Sequence, residues 1–283
     1  MIKYISFERK GIKSYGILNE EYVFDIRENF NDMPGTLIEY IKGPRLSNNV
    51  ILNSKARLKN DVRIISPIEV PQRGIFCVGM NYREHLSEIK DLQMEKEPEY
   101  PVFFTKNMNR ILGDGDYINV SDSPSTCPDY EAELALIIGR DCKNLTEENA
   151  ESVIFGYSIA NDFSARDLQK DYSQWMKGKS LDDFCAIGPY IVDAKDLQVE
   201  NLEIKSFVNG ELRQNSNTKN LIFNIKRILI DLSKGMTIKA GDIIFTGTPK
   251  GVGGGFNPPK YLKKNDKVTC FIENIGELTN FVK

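Results

Sequence analysis

Along this chain, apolar residues alternate with polar ones at period two more often than they recur at helical spacing. Alternating or β-branched runs at residues 2–7, 13–18 and 22–25, broken by Lys10-Gly11 and Asn19-Glu20-Glu21, predict three short strands. Residues 36–42 predict an amphipathic helix stopped at Gly43-Pro44, and residues 62–65 a further strand. Ser66-Pro67 and Pro71-Gln72-Arg73-Gly74 then punctuate the chain and place a boundary between a small N-terminal α+β domain, residues 1–70, and a larger domain, residues 71–283. Beyond it, strands are predicted at residues 75–78, 102–105, 130–138, 155–160, 190–192, 204–208, 243–246 and 267–272. Helical spacing is rarer, at residues 82–92, 147–152, 164–176 and 222–232. Many strands without steady strand–helix alternation predict a mainly β, α+β fold and argue against a doubly wound sheet or a βα barrel.

Composition narrows the function classes. The 283 residues suffice for a sizeable core, and 27% charged with 41% hydrophobic residues exclude a disordered chain. The 37 Lys+Arg and 40 Asp+Glu nearly balance, so no global field favours nucleic acid or an anionic membrane. No apolar run approaches the ~18 residues of a membrane span, and the opening MIKYISFERKGIK lacks the features of a signal peptide. Five scattered cysteines without a CxxC argue against a disulfide framework or zinc knuckle, so a cytoplasmic location is expected. The single histidine, His85, excludes metal centres that need two.

Three groups of residues carry candidate chemistry. In Tyr130-Glu131-Ala132-Glu133-Leu134, period two puts Glu131 and Glu133 on one face of a strand, about 7 Å apart at Cβ. They form either a solvated face or a pair of carboxylates gripping a divalent cation, whose charge would offset their repulsion and desolvation. Asp162, at the end of the next strand, is either a helix N-cap or a third ligand. Three monodentate carboxylates leave three octahedral positions open, which suits Mg²⁺ or Mn²⁺. His85 and Glu88, at i,i+3 on a predicted helix, are either a solvated face or a base oriented by its carboxylate. Gly178-Lys179-Ser180 lacks the earlier glycine of a phosphate loop, and residues 246–255 contain no GKS or GKT. The glycines of that second stretch, with Thr248, still let backbone N–H groups and a hydroxyl approach an oxyanion closely, unless the stretch is simply a surface turn.

Taken in order, these blocks resemble the fumarylacetoacetate hydrolase family. They are V-G-x-N-Y-x-x-H-x-x-E at residues 78–88, F-x-K at 104–106, D-Y-E-x-E-L at 129–134, G-Y-x-I-A-N-D-x-S-A-R-D-L-Q at 156–169, K-S-x-D-x-F at 179–184 with Gly188-Pro189, and G-D-I-I-x-T-G-T-P-x-G-V-G at 241–253. The likeness runs from about Gly74 to the end and leaves the N-terminal region outside. The resemblance implies a mixed β-sandwich roll that assembles as a homodimer. It implies that Glu131, Glu133 and Asp162 hold Mg²⁺ (or Mn²⁺) and that Lys179 faces the bound substrate. Thr248, with Gly247 beside it, would bind substrate oxygens, and His85 with Glu88 would activate water. The activity implied is hydrolysis of the C3–C4 bond of 2,4-dioxo acids of the acylpyruvate or fumarylpyruvate type, giving pyruvate and a carboxylic acid. Relatives that isomerise or decarboxylate often lack the His–Glu pair. The alternative is therefore an oxaloacetate decarboxylase or a 2-hydroxyhepta-2,4-diene-1,7-dioate isomerase on the same metal platform. Either way the partner is a small 2-oxo acid, and residues 89–100 are expected to form a lid that selects its distal group.

Overall fold

A computed structural model describes residues 1–88 and 97–283, so the predicted helix 82–92 and the predicted lid 89–100 lie partly outside the described residues. Among the described residues, eleven strands form one mixed sheet. At its heart Ala132–Ile138 pairs antiparallel with Ile154–Asn161 on one side and Ile243–Phe245 on the other. Ile243–Phe245 runs parallel to Ile75–Gly79, and Val102–Lys106 completes that side. On the other side come Ala186–Asp193, then Lys3–Arg9, Ile12–Asn19 and Tyr22–Asp25. The sheet is continuous across the predicted boundary near residue 70, because Lys3 and Tyr4 pair with Val192 and Ile191. A second sheet of five described strands runs Glu211–Asn217, Glu203–Val208, Lys267–Ile272, Gly276–Val282, Tyr117–Ile118. The sheet-dominated α+β architecture is the one the sequence predicts.

The central strand is buried on both faces, which explains its nearly unbroken apolar run. Leu134, Leu136 and Ile138 join a core shared with Ile204, Val268 and Ile272 of the second sheet. Ala135 and Ile137 join the opposite core, with Tyr4, Tyr15 and Tyr40 from the N-terminal part. Counting back by twos from Ile137 reaches Glu133 and Glu131, so strand parity fixes the side on which these carboxylates emerge.

Several predicted elements change in detail. The helix expected over residues 164–176 is two, Arg166–Asp171 and Met176–Lys179, because Tyr172 closes the first in an extended conformation. Trp175, in the break, packs so tightly on Gly79 that an added Cβ there would lie 2.4 Å from the indole. The helix expected over 222–232 is Ile225–Ser233, started by the Asn224 side chain accepting from the Arg227 N–H. The segment expected as a helix over 147–152 is a 3₁₀ turn, Ala150–Val153. Glu211–Asn217 escapes prediction because it is almost wholly polar, its one buried residue being Gln214, and Gly276–Val282 because the buried Asn280 interrupts its apolar positions. No helix among the described residues is long and apolar enough to cross a membrane.

Ile191 is fully buried where the N-terminal strands meet the rest of the sheet. Ile191→Ala should cost about 2–5 kcal/mol in denaturant unfolding, with loss of the N-terminal part and the remainder in one transition. A separate, earlier transition would contradict the continuity of the sheet.

Candidate active site

The paired strands Ala132–Ile138 and Ile154–Asn161 end together, and their ends are tied. Asn161 Oδ1 accepts from the Glu131 N–H at 3.0 Å, and the Asp162 N–H donates to the Glu131 carbonyl at 2.9 Å. One carboxylate oxygen from each of Glu131, Glu133 and Asp162 lies within 4.8 Å of the others, and all three residues are buried. Neither glutamate is on a solvated face. Asp162 caps no helix, since the next one begins at Arg166. Three buried hard oxygen donors converging in this way fit a divalent cation such as Mg²⁺ or Mn²⁺.

Charges from three other elements meet these acids. Lys179, at the end of Met176–Lys179, donates to Glu131 Oε2 at 2.6 Å and to Asp162 Oδ2 at 2.7 Å. Lys106, at the end of Val102–Lys106 and fully buried, pairs with Asp162 Oδ1 and donates to the carbonyls of Phe163 at 2.9 Å and Phe184 at 2.8 Å. Arg166 spans Glu131 Oε1 at 2.7 Å and Asp129 Oδ2 at 2.8 Å. Burial works against charge on both Glu131 and Lys179. Lys179 and Arg166, then His85, outweigh it at Glu131 and hold that carboxyl below the usual carboxylate range. Asp162 and Glu131 outweigh it at Lys179 and hold its ammonium above the usual lysine range. Glu133 shows the opposite balance: burial, then repulsion from Asp162 and Glu131, raises its carboxyl well above the ordinary range.

His85, buried on the short helix Arg83–Leu86, meets Glu88 with 3.0 Å between Nδ1 and Oε2. A carboxylate at Nδ1 places a proton there and leaves Nε2 to exchange one. Both Glu88 oxygens accept from the Gly251 N–H, at 3.0 and 3.2 Å. A Cβ on Gly255 would stand 1.9 Å from Glu88 Oε1. The glycine-rich stretch also turns its N–H groups on two other carboxylates. Gly247 donates to Glu133 Oε2 at 2.5 Å, while Gly253 and Gly254 donate to the two oxygens of Asp129 at 2.6 and 2.9 Å. The oxyanions this loop approaches are therefore the protein's own. Gly247 adopts φ +100° against Asn81, where a Cβ would lie 2.8 Å from the Asn81 Cβ. Asn81 itself donates to the carbonyls of Thr246 at 2.7 Å and Phe223 at 3.0 Å, docking the His85 segment on the sheet.

The structure gathers Glu131, Glu133 and Asp162, joins Lys179 to two of them, and ties the His85–Glu88 pair and Glu133 to the same glycine-rich loop through Gly251 and Gly247. It engages Thr248 differently from the expectation of a free substrate donor: the hydroxyl donates to the Ala132 carbonyl at 2.9 Å and accepts from Gln214 at 2.7 Å. The Gly247 N–H is likewise taken by Glu133. Sequence reasoning assigns no role to Lys106, Arg166, Asp129 or Gln214. The signal available for the two cations is a lysine closing an apolar strand and an arginine just after another, where burial demands a partner.

Because Glu133 sits among like charges, Glu133→Gln should stabilise the metal-depleted protein at pH 7 by about 1 kcal/mol or more. The sign follows from its raised carboxyl: the folded state favours the neutral form, so the cost of ionisation is present above the ordinary carboxylate range and disappears below it. The same change should weaken Mg²⁺ binding at least about tenfold. Thermal unfolding of the chelator-treated protein and calorimetric Mg²⁺ titration check the two effects.

Comparison with known proteins places the chain in a family. Residues 74–283 match the model of the fumarylacetoacetate (FAA) hydrolase C-terminal domain. The chain is 39% identical over 285 residues to an oxaloacetate tautomerase of Bacillus subtilis (strain 168), covering 93% of this chain and 94% of that protein. The solved fumarylacetoacetate hydrolase from psychrophilic Exiguobacterium antarcticum superposes with a TM-score of 0.87 at 38% identity, covering 100% of this chain and 99% of that one. The 2-hydroxyhepta-2,4-diene-1,7-dioate isomerase from Mycobacterium marinum does so at 0.77 with 29% identity, covering 100% and 98%. By its matched length, its fold and its converging carboxylates, the chain belongs to the fumarylacetoacetate hydrolase family of enzymes.

Proposed function

We propose that this enzyme interconverts the enol and keto forms of a short 2-oxo dicarboxylic acid of the oxaloacetate type. The observation that carries the reading is the buried His85–Glu88 pair, a proton carrier, connected through the glycine-rich loop to three convergent carboxylates. A similar protein named as an oxaloacetate tautomerase, matched over nearly its whole length, supports proton transfer ahead of C–C hydrolysis. In the reaction the enol loses the proton on its C2 oxygen and gains one at C3, so no oxidant, reductant or water is consumed.

A divalent cation, Mg²⁺ or Mn²⁺, held by Glu131, Glu133 and Asp162 supplies Lewis-acid charge beside the C2 oxygen when bound. Lys179 adds an ammonium on the same side, held protonated by its acidic neighbours. His85 exchanges the C3 proton through Nε2, because Nδ1 is committed to Glu88 and Glu88 is anchored by Gly251. Lys106 and Arg166 hold Asp162 and Glu131 in place.

The same pair supports a second reading, in which His85 takes a proton from water for cleavage of an acylpyruvate. The two separate on substrate. The spectroscopic decay of enol-oxaloacetate, followed beside acetylpyruvate cleavage and pyruvate release from oxaloacetate, should show acceleration of the enol decay above all. His85→Ala should lower that rate about 10²–10⁴-fold while calorimetric Mg²⁺ affinity stays near wild type. Cleavage of acetylpyruvate without any effect on the enol decay would overturn the tautomerase reading in favour of hydrolysis.

A further inference from the structure

We propose that Lys179 couples the cation to the anionic substrate, so that each binds tightly only when the other is present. The inference rests on reading the acidic triad as the cation site for a 2-oxo dicarboxylate. It concerns how that site fills.

The ammonium of Lys179 lies between Glu131 Oε2 and Asp162 Oδ2 at 2.6 and 2.7 Å, bonded to two of the three residues that would ligate the cation. A cation drawing on those residues competes directly with it. The other two positive groups are less free to adjust. Lys106 is held by Asp162 Oδ1 and by the carbonyls of Phe163 and Phe184, and Arg166 by Asp129 and Glu131 on either side. Both described hydrogen-bond acceptors of the Lys179 ammonium are carboxylates that the cation needs; Nζ also lies 5.4 Å from the Phe104 ring centroid, and the backbone N–H of Lys179 donates to the Trp175 carbonyl at 3.1 Å.

Displacement has a cost. Lys179 is 2% exposed, and an ammonium buried without an anion is strongly disfavoured. The cation alone also leaves a net positive charge, even with all four acids ionised, on a site in which Asp129, Glu131, Glu133 and Asp162 face Lys106, Lys179 and Arg166. A dianionic substrate removes both penalties, giving the displaced ammonium a new partner and offsetting the added charge. A neutral or monoanionic ligand does so less well. Selection for dicarboxylates then arises partly from charge balance inside the site.

Oxalate, a small dianion resembling the carboxylate and 2-oxo end of the substrate, serves as the probe in calorimetric Mg²⁺ titrations corrected for Mg²⁺–oxalate association in buffer. For the wild type, oxalate should strengthen Mg²⁺ binding on the order of 10–100-fold, and Mg²⁺ should strengthen oxalate binding by the same factor. Lys179→Met and Lys179→Gln remove the competing ammonium. Each should bind Mg²⁺ alone more tightly than the wild type and lose most of the enhancement by oxalate. Neutral variants that bind Mg²⁺ alone no more tightly, and keep the full enhancement, would overturn the proposal. If circular dichroism shows both variants unfolded, the wild type decides through Trp175, its single tryptophan, whose ring meets Phe104 edge-on at 5.3 Å. Its emission should shift when Mg²⁺ and oxalate are added together but not with oxalate alone; no shift with the pair would overturn the proposal. Coupling without tautomerase activity would leave this inference standing and fail the proposed function; activity without coupling would do the reverse.

Discussion

Four carboxylates meet at the buried end of a sheet, and almost every other feature of the site answers that one electrostatic problem. Asp129, Glu131, Glu133 and Asp162 are each nearly or fully removed from solvent. An isolated ionised carboxylate would not tolerate this, so its oxygens must find cations or N–H groups. Lys106, Lys179 and Arg166 supply the first, arriving from a strand and two short helices. Gly247, Gly253 and Gly254 supply the second, with Gly251 doing the same for Glu88. The contacts leave the balance uneven: Glu131 is over-stabilised as an anion, Glu133 under-stabilised, and the difference makes room for a further positive charge.

Much of this is legible in the sequence, for identifiable reasons. Strand periodicity alone puts Glu131 and Glu133 on one side, because parity is a local property of the backbone. The i,i+3 spacing of His85 and Glu88 likewise needs only one turn of helix. The partners are less visible because they are long-range. Lys106 meets Asp162 across 56 positions and Gln214 meets Thr248 across 34, and a single sequence carries no trace of such pairings. The glycine-rich stretch is the instructive case. Its capacity to approach an anion can be read from composition, but the anions it serves are the chain's own, which only the fold discloses.

The same distinction divides the strands and helices that local pattern reveals from those it hides. The central strands announce themselves by apolar runs, since both of their faces are covered. Glu211–Asn217 reads as a polar segment, although it holds Gln214 against Thr248, and Gly276–Val282 is interrupted by the buried Asn280, although it pairs with Lys267–Ile272 on one side and Tyr117–Ile118 on the other. The break between Arg166–Asp171 and Met176–Lys179 is tertiary in origin as well: Trp175 settles on Gly79, and the chain turns to bring Lys179 back to the acids.

The double-sided burial of Ala132–Ile138 has a bearing on folding fidelity. A slip of one residue against Ile154–Asn161 would exchange its faces, sending Leu134 and Leu136 toward the tyrosine-rich core and both acids toward the other. Each misplaced carboxylate would then lie away from Lys106, Lys179 and Arg166, in hydrocarbon without a counter-ion. The ionic cluster thus acts as a proofreading device for β-pairing: the alignment that packs the two cores is also the one in which the charges find their partners. A chain that has folded in register has, by that fact, assembled its chemistry.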